Sequence, residues 1–189
     1  MIVTPAQAGV HRSPARAPDR WLPAFAGMTQ EETYVILEPD PDDLARVKQW
    51  FHRLSERVRA VDFTGAHPLF AEDMIAFGTF ENFITGRDRA EASQWRNVWP
   101  VTSDFCFGDN DIRAIVSPDR LMAVAMGVFS STGYFEDGTS YPRPGRTTIA
   151  LSRRAIGEDW VADHTHMSLF RDVPSRSFGR TETAGANHG

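Results

Sequence analysis

Cysteine is nearly absent: Cys106 is the single thiol in 189 residues. No disulfide can form within the chain, and a reducing, cytoplasmic setting is expected. Lysine is equally scarce, with Lys48 alone beside nineteen arginines. No apolar run approaches the roughly 20 residues that a membrane-spanning helix needs, so no membrane partner is expected. The first thirty residues hold four prolines and scattered arginines. They contain no continuous apolar stretch of roughly 7 to 15 residues, so a secretory signal is not expected there. A basic stripe is also missing. The formal charge is −5, and residues 31–171 carry 15 basic against 22 acidic side chains. That balance argues against nucleic acid as a partner. There is no phosphate-binding loop, nucleophile elbow, paired-cysteine motif or internal repeat, and no cofactor is expected.

What is present suits one soluble domain. The chain is long enough for a single hydrophobic core and is 41% hydrophobic. Residues 1–30 resemble the translation of short palindromic repeats found between genes in many proteobacteria, through "VTPAQAGVH" and "RWLPAFAGMT". Such text has no reason to pack, so the functional chain is expected to begin near Met28, or residues 1–30 to form a disordered arm. Residues 31–171 read as the folded domain. Residues 172–189 are polar, contain glycine, and read as a flexible tail.

Within the domain, "EPDPDDLARVKQWFHRLSERVRAVD" opens with helix-start chemistry. Asp40 can cap, Pro41 suits the first helical position, and Asp42 and Asp43 favour the positive end of the dipole. Leu44, Val47, Phe51, Leu54, Val58 and Val61 then recur at steps of three and four. This predicts an amphipathic helix of about twenty residues. "GAHPLFAED" predicts a short helix or turn, "MIAFGTF" a brief strand, and "GRDRAEASQWRNVWP" a further helix stopped by Pro100. The pattern then changes to period two, with strands expected at 101–108, 111–117, 120–134, 145–154 and 160–170. Helices followed by long strands indicate an α+β fold, with N-terminal helices packed on a curved antiparallel sheet and a hollow between the layers.

The stretch "WVADHTHMSLF", residues 160–170, concentrates the polar chemistry. On a regular strand, Trp160, Ala162, His164, His166 and Ser168 share one face, opposite Val161, Asp163, Thr165, Met167 and Leu169. Three readings follow. The imidazoles could hold a metal with His52, His67, Asp73 or Cys106, although nothing in the spacing brings a third ligand close. One histidine could act in acid–base catalysis with Asp73 across the hollow, which makes His164, His166 and Asp73 the catalytic candidates. The favoured reading is that both histidines are hydrogen-bonded polar residues that line a pocket or anchor the helix to the sheet, without metal. Arg146 could bind an anionic ligand. Trp95, Trp99, Phe77, Phe105, Phe107, Met126 and Phe129 could form an aromatic, soft wall suited to a flat or cyclic organic ligand.

"MIAFGTFENFITGRD", "GRTTIALSRR" and "DWVADHTHMSL", in this order across roughly residues 41 to 171, resemble the SnoaL-like branch of the nuclear transport factor 2 superfamily, to which ketosteroid-isomerase-like proteins also belong. The resemblance implies a cone-shaped, bacterial α+β domain, often a homodimer through the outer sheet face, with a cavity for a small organic ligand. Trp50, Phe77, Trp95, Trp99, Arg146, His164 and His166 are the expected ligand-binding residues. The isomerases' helix tyrosine falls on Trp50 or close by, and their base aspartate on Phe77 or Gly78. Their protonated aspartate lies where this chain reads "TTIALS". All three roles are missing or altered, so ketosteroid isomerase chemistry is not expected. Isomerase-, cyclase- or hydrolase-like chemistry remains open, since the superfamily supports many functions. The reading from another class is a dimerisation or interaction module with a filled cavity. Deleting residues 1–27 is expected to leave the melting temperature unchanged in a thermal melt; a drop of several degrees would mean that the arm packs.

Overall fold

The computed structural model describes residues 38–77 and 82–180, which lie in the compact unit Ile36–Gly189. The arm expected over residues 1–30 lies outside the described residues.

Helix α1, Pro41–Ala60, begins as its sequence dictates. The Asp40 side chain accepts from the Asp42 amide, Pro41 sits at the first position, and Asp42 and Asp43 occupy the first turn. Val47, Trp50, Phe51, Leu54 and Val58 are buried. The helix ends at Val61, which adopts a left-handed conformation (φ 52°), with its amide on the carbonyls of Arg57 and Val58. Short helix α2 (Phe63–Ala66) and a 3₁₀ turn (His67–Leu69) lead into the sheet. A second helical run follows strand β2. It comprises α3 (Arg87–Ala90), a π turn (Glu91–Trp95), α4 (Arg96–Val98) and a 3₁₀ turn (Trp99–Val101).

Among the described residues the strands are β1 (Phe70–Ala76), β2 (Ile84–Thr85), β3 (Ser103–Val116), β4 (Met122–Tyr134), β5 (Ser140–Pro142), β6 (Gly145–Ser152) and β7 (Val161–Leu169). They form one curved, unclosed sheet in the order β2-β1-β7-β6-β4-β3, with β5 on β4. The sheet is mixed rather than wholly antiparallel, because β1 pairs with β7 in parallel. Helix α1 lies against β3, and Phe51 meets Phe107 edge to face at 4.6 Å. That contact needs Gly127, where a Cβ would come within 2.9 Å of the Phe107 ring.

Two bulges matter. The break expected between the strands at 101–108 and 111–117 is instead a bulge within a single long strand: the four residues between Phe107 and Ile112 pass one on β4, Val128, between Phe129 and Gly127. On β7, Ala150 pairs with His164 and Leu151 with Ala162, leaving Asp163 as the extra residue. The bulge inverts the parity of everything after it. Ala162 is buried opposite Leu151, and Thr165 then lies opposite buried Ile149. His164, His166 and Ser168 fall opposite Ala150, Thr148 and Arg146, on the outer face. The expected shared face of Trp160, Ala162 and both histidines is therefore divided.

Asp43 stands in the first turn of α1, as expected from the helix dipole. Its side chain is buried at 1% exposure and receives two guanidinium groups. Arg153 Nη2 donates to Oδ1 at 2.6 Å and Arg120 Nε to Oδ2 at 2.7 Å. Arg153 also covers the Trp160 ring at 4.1 Å and donates to the Arg120 carbonyl. The start of α1 is thereby tied to the β3–β4 turn and to the end of β6. Beyond β7, residues 172–180 are held more firmly than the expected tail. Buried Ser177 donates to the Val101 carbonyl and accepts the Tyr134 amide, and Tyr141 donates to the Arg176 carbonyl.

The Arg120 hydrogen bond, aided by Arg153, outweighs burial and holds the Asp43 carboxyl below its ordinary value. A depressed folded-state pKa stabilises the fold above the unfolded carboxyl's pKa of about 4, and that contribution disappears as pH falls through the folded value. Asp43→Asn should cost about 3–5 kcal/mol at pH 7, because it strands a buried guanidinium. In denaturant melts the gap to wild type should narrow as the pH is lowered below about 4; a gap independent of pH would contradict the ion-pair account.

Candidate ligand cavity

The helical run 87–101, the second half of α1 and the inner sheet face enclose a partly open cavity of about 350 Å³. Leu54 and Val58 come from α1, and Trp95, Val98 and Trp99 from the second helical run. Phe70, Phe105 and Phe129 come from β1, β3 and β4, and Thr165, Met167 and Leu169 from β7. Trp95 and Trp99 stand four residues apart along the helical run, on one face, and the two indoles stack at 5.1 Å and 10°. Trp95 also meets Phe70 at 4.7 Å, and Trp99 stacks on Phe63 at 5.2 Å. The helical run is pinned by Glu91, whose Oε2 lies 2.6 Å from His67 Nε2 and whose other oxygen accepts from Arg96. Chiefly His67, with Arg96, holds the Glu91 carboxyl below its ordinary value. The indole wall is therefore fixed by an ionic staple outside the cavity.

The expected site residues separate clearly. Trp95, Trp99, Phe77 and His166 line the cavity. Trp50, His164, Arg146 and Asp73 are not among its described lining residues. Trp50 is a buried core residue, and its indole donates to the Leu69 carbonyl at 3.0 Å. His164 Nδ1 donates to the Ile75 carbonyl at 2.9 Å on the outer face. Asp73 is exposed on β1. Arg146 lies outside, with its guanidinium near Ser168 and over the Phe170 ring. Met126, expected in the wall, pairs with Arg113 and Thr148 on the outer face. Gly78 lies outside the described residues. Among the described residues, no group of three His, Cys, Asp or Glu side chains is arranged to hold a metal ion.

His166 reaches the cavity at its mouth. Strand β1 stops pairing with β7 at Ala76–Thr165, and residues 165 to 169 line the cavity consecutively. Consecutive lining belongs to the edge of a strand, whereas a face contributes alternate residues. Phe77 bridges the two histidines, edge to face with His164 at 5.2 Å and His166 at 5.1 Å.

The polar part of the wall comprises Gln94, Thr102, Arg143, Thr165, His166, Ser168 and Ser175. No described lining side chain is a carboxylate. Arg143 was missed in the sequence, where Arg146 drew attention three residues later. It sits between Pro142 and Pro144 in the β5–β6 connection. Its amide donates to the Ser131 carbonyl at 2.7 Å, and its own carbonyl accepts the Ser131 hydroxyl at 2.6 Å. Burial pushes the Arg143 guanidinium below the usual arginine value, and the neighbouring Tyr141 hydroxyl acts in the opposite sense.

No family model matches the sequence, and no curated protein matches it. Solved structures do resemble it. A nuclear transport factor 2-like protein of unknown function from Pseudomonas putida shares 19% identity, covering 74% of this chain and 96% of its own, at a TM-score of 0.56. A ketosteroid isomerase-like protein from Erwinia carotovora shares 15%, covering 69% and 98%, also at 0.56. A nuclear transport factor 2-like superfamily protein from Salmonella enterica shares 15%, covering 78% and 97%, at 0.52. At these identities the likeness concerns architecture alone. The chain has the nuclear transport factor 2-like fold, the one also found in ketosteroid-isomerase-like proteins.

Proposed function

We propose that this chain is a cytoplasmic small-molecule-binding domain that holds a cyclic organic ligand against the Trp95–Trp99 stack. The observation that carries the reading is the cavity itself. At about 350 Å³ it falls within the roughly 300–1,000 Å³ of known ligand pockets, and a filled interaction module would leave no such space. Its wall is aromatic on the helical side and mixed on the sheet side, which suits a flat ring with a polar substituent. A carboxylate base of the isomerase kind has no counterpart among the described lining residues. His166 is the one imidazole there, so proton transfer within this cavity would fall to it.

A second feature favours self-association as well. Ile75, Ile115, Met122, Val124 and Val128 stand on the outer sheet face at 43–55% exposure, beside Phe77. So large an apolar sheet face suits a second copy of the chain. The two readings are compatible, because this surface lies on the sheet face opposite the cavity, with Phe77 at the rim between them.

Bicyclic aromatic compounds should raise the melting temperature by several degrees, given about 2.7 kcal/mol of stabilisation at a hundredfold excess over Kd. Val98→Trp, which fills the cavity, should abolish that shift. A screen with no shift, together with a native mass spectrum of the bare chain, would overturn the binding reading. Light scattering at micromolar concentration should give twice the chain mass of 21.2 kDa; a clean monomer would overturn self-association.

A further inference from the structure

Arg143 poses a problem that the described residues do not solve. A desolvated guanidinium ordinarily has a carboxylate or an aromatic face to compensate its charge. Arg153 has both, in Asp43 and the Trp160 ring. Among the described residues Arg143 has neither, and its Nε is buried without an acceptor. The nearest compensation is the Tyr141 hydroxyl, whose proton goes to the Arg176 carbonyl at 2.7 Å. In a chain of net charge −5, carboxylates are abundant, yet none of the described lining side chains is one. The position is also rigid. Pro144 restricts the backbone of the residue before it, and Ser131 binds both the amide and the carbonyl of Arg143. A cation that is half-buried, anchored and uncompensated at a ligand cavity is preorganised for a charge supplied from outside.

We propose that the ligand is an aromatic carboxylic acid, whose carboxylate is held by Arg143 while its ring lies on the Trp95–Trp99 stack. This inference rests on the binding reading above and names its ligand class. A planar carboxylate matches the planar donor fork of a guanidinium, and the pairing gains from the low dielectric of an apolar cavity. Thr165 and Ser175 offer further hydroxyl groups in the cavity lining.

The test uses 2-naphthoate and its neutral isostere 2-naphthamide, titrated into the full chain with tryptophan fluorescence and calorimetry as readouts. Wild type should bind the acid at least tenfold more tightly than the amide. Arg143→Met should erase that preference, and Arg143→Lys should retain part of it, as a point charge without the fork. Independently of any ligand, Arg143→Met should leave the melting temperature of the free protein unchanged or raise it, since an uncompensated charge is removed. Equal affinity for acid and amide in wild type would overturn the anionic-ligand inference and leave the binding reading intact. Failure of wild type to bind either probe would count against both. A fall of several degrees in the free Arg143→Met protein would identify Arg143 as a structural strut and overturn the inference.

Discussion

The buried Asp43–Arg153 ion pair is the constraint from which the rest of the domain is hung. It fixes the first turn of α1 to the far end of β6, with Arg120 closing the second carboxylate oxygen. Leu54 lies eleven residues further along the helix, roughly 16 Å at 1.5 Å per residue. The helix is thus clamped at one end while its other end, carrying Leu54 and Val58, roofs the cavity. A roof held only by apolar contacts could settle onto the sheet until the space closed, because apolar attraction has no preferred direction. Directional charge-assisted bonds at the clamp oppose that collapse. The Glu91 staple does the same for the indole wall. Both devices keep polar chemistry at the periphery so that an apolar space can persist at the centre.

The same logic separates the three arginines that matter. Arg153 and Arg120 are charge-paired with Asp43 within the protein and serve architecture. Arg143 is anchored through its backbone, its buried Nε has no acceptor, and no described lining side chain offers it a carboxylate. Holding a charged group in a poor solvent destabilises the free protein, and proteins accept such a cost at sites of binding. The outer sheet face presents the complementary case. There the apolar residues are exposed and His164 is already hydrogen-bonded to the Ile75 carbonyl.

Much of the architecture was legible because periodicity reports which faces are buried. The α1 boundaries, its cap and its apolar stripe followed from Asp40, Pro41 and the steps from Val47 to Val58. The period-two segments gave the long strands, and Trp95 and Trp99 were recognisable as wall residues. Long-range pairings were not legible. Nothing local to Asp43 announces a partner 110 residues away, and nothing local to Arg143 announces that its buried Nε finds no acceptor among the described residues. The bulge in β7 occupies a middle ground. Trp160 and Ala162 are apolar at even positions, whereas Met167 and Leu169 are apolar at odd ones. A regular strand cannot bury both sets on one face, so the change of phase was already written between them. It was overlooked because the histidine pair invited an unbroken alternation.

That single extra residue at Asp163 also bears on how the strand can be matched to others. Aligned without a gap to a protein whose strand lacks the bulge, the positions after 163 would be paired one step out of phase. Cavity residues such as Thr165 and Met167 would then be set against surface residues, and His166, which meets the cavity at its mouth, against interior ones. Any motif containing His164-x-His166 would match well in such an alignment while describing the wrong side of the sheet. Placing a one-residue gap at Asp163 restores the correspondence, and with it the identity of the residues that a ligand would meet.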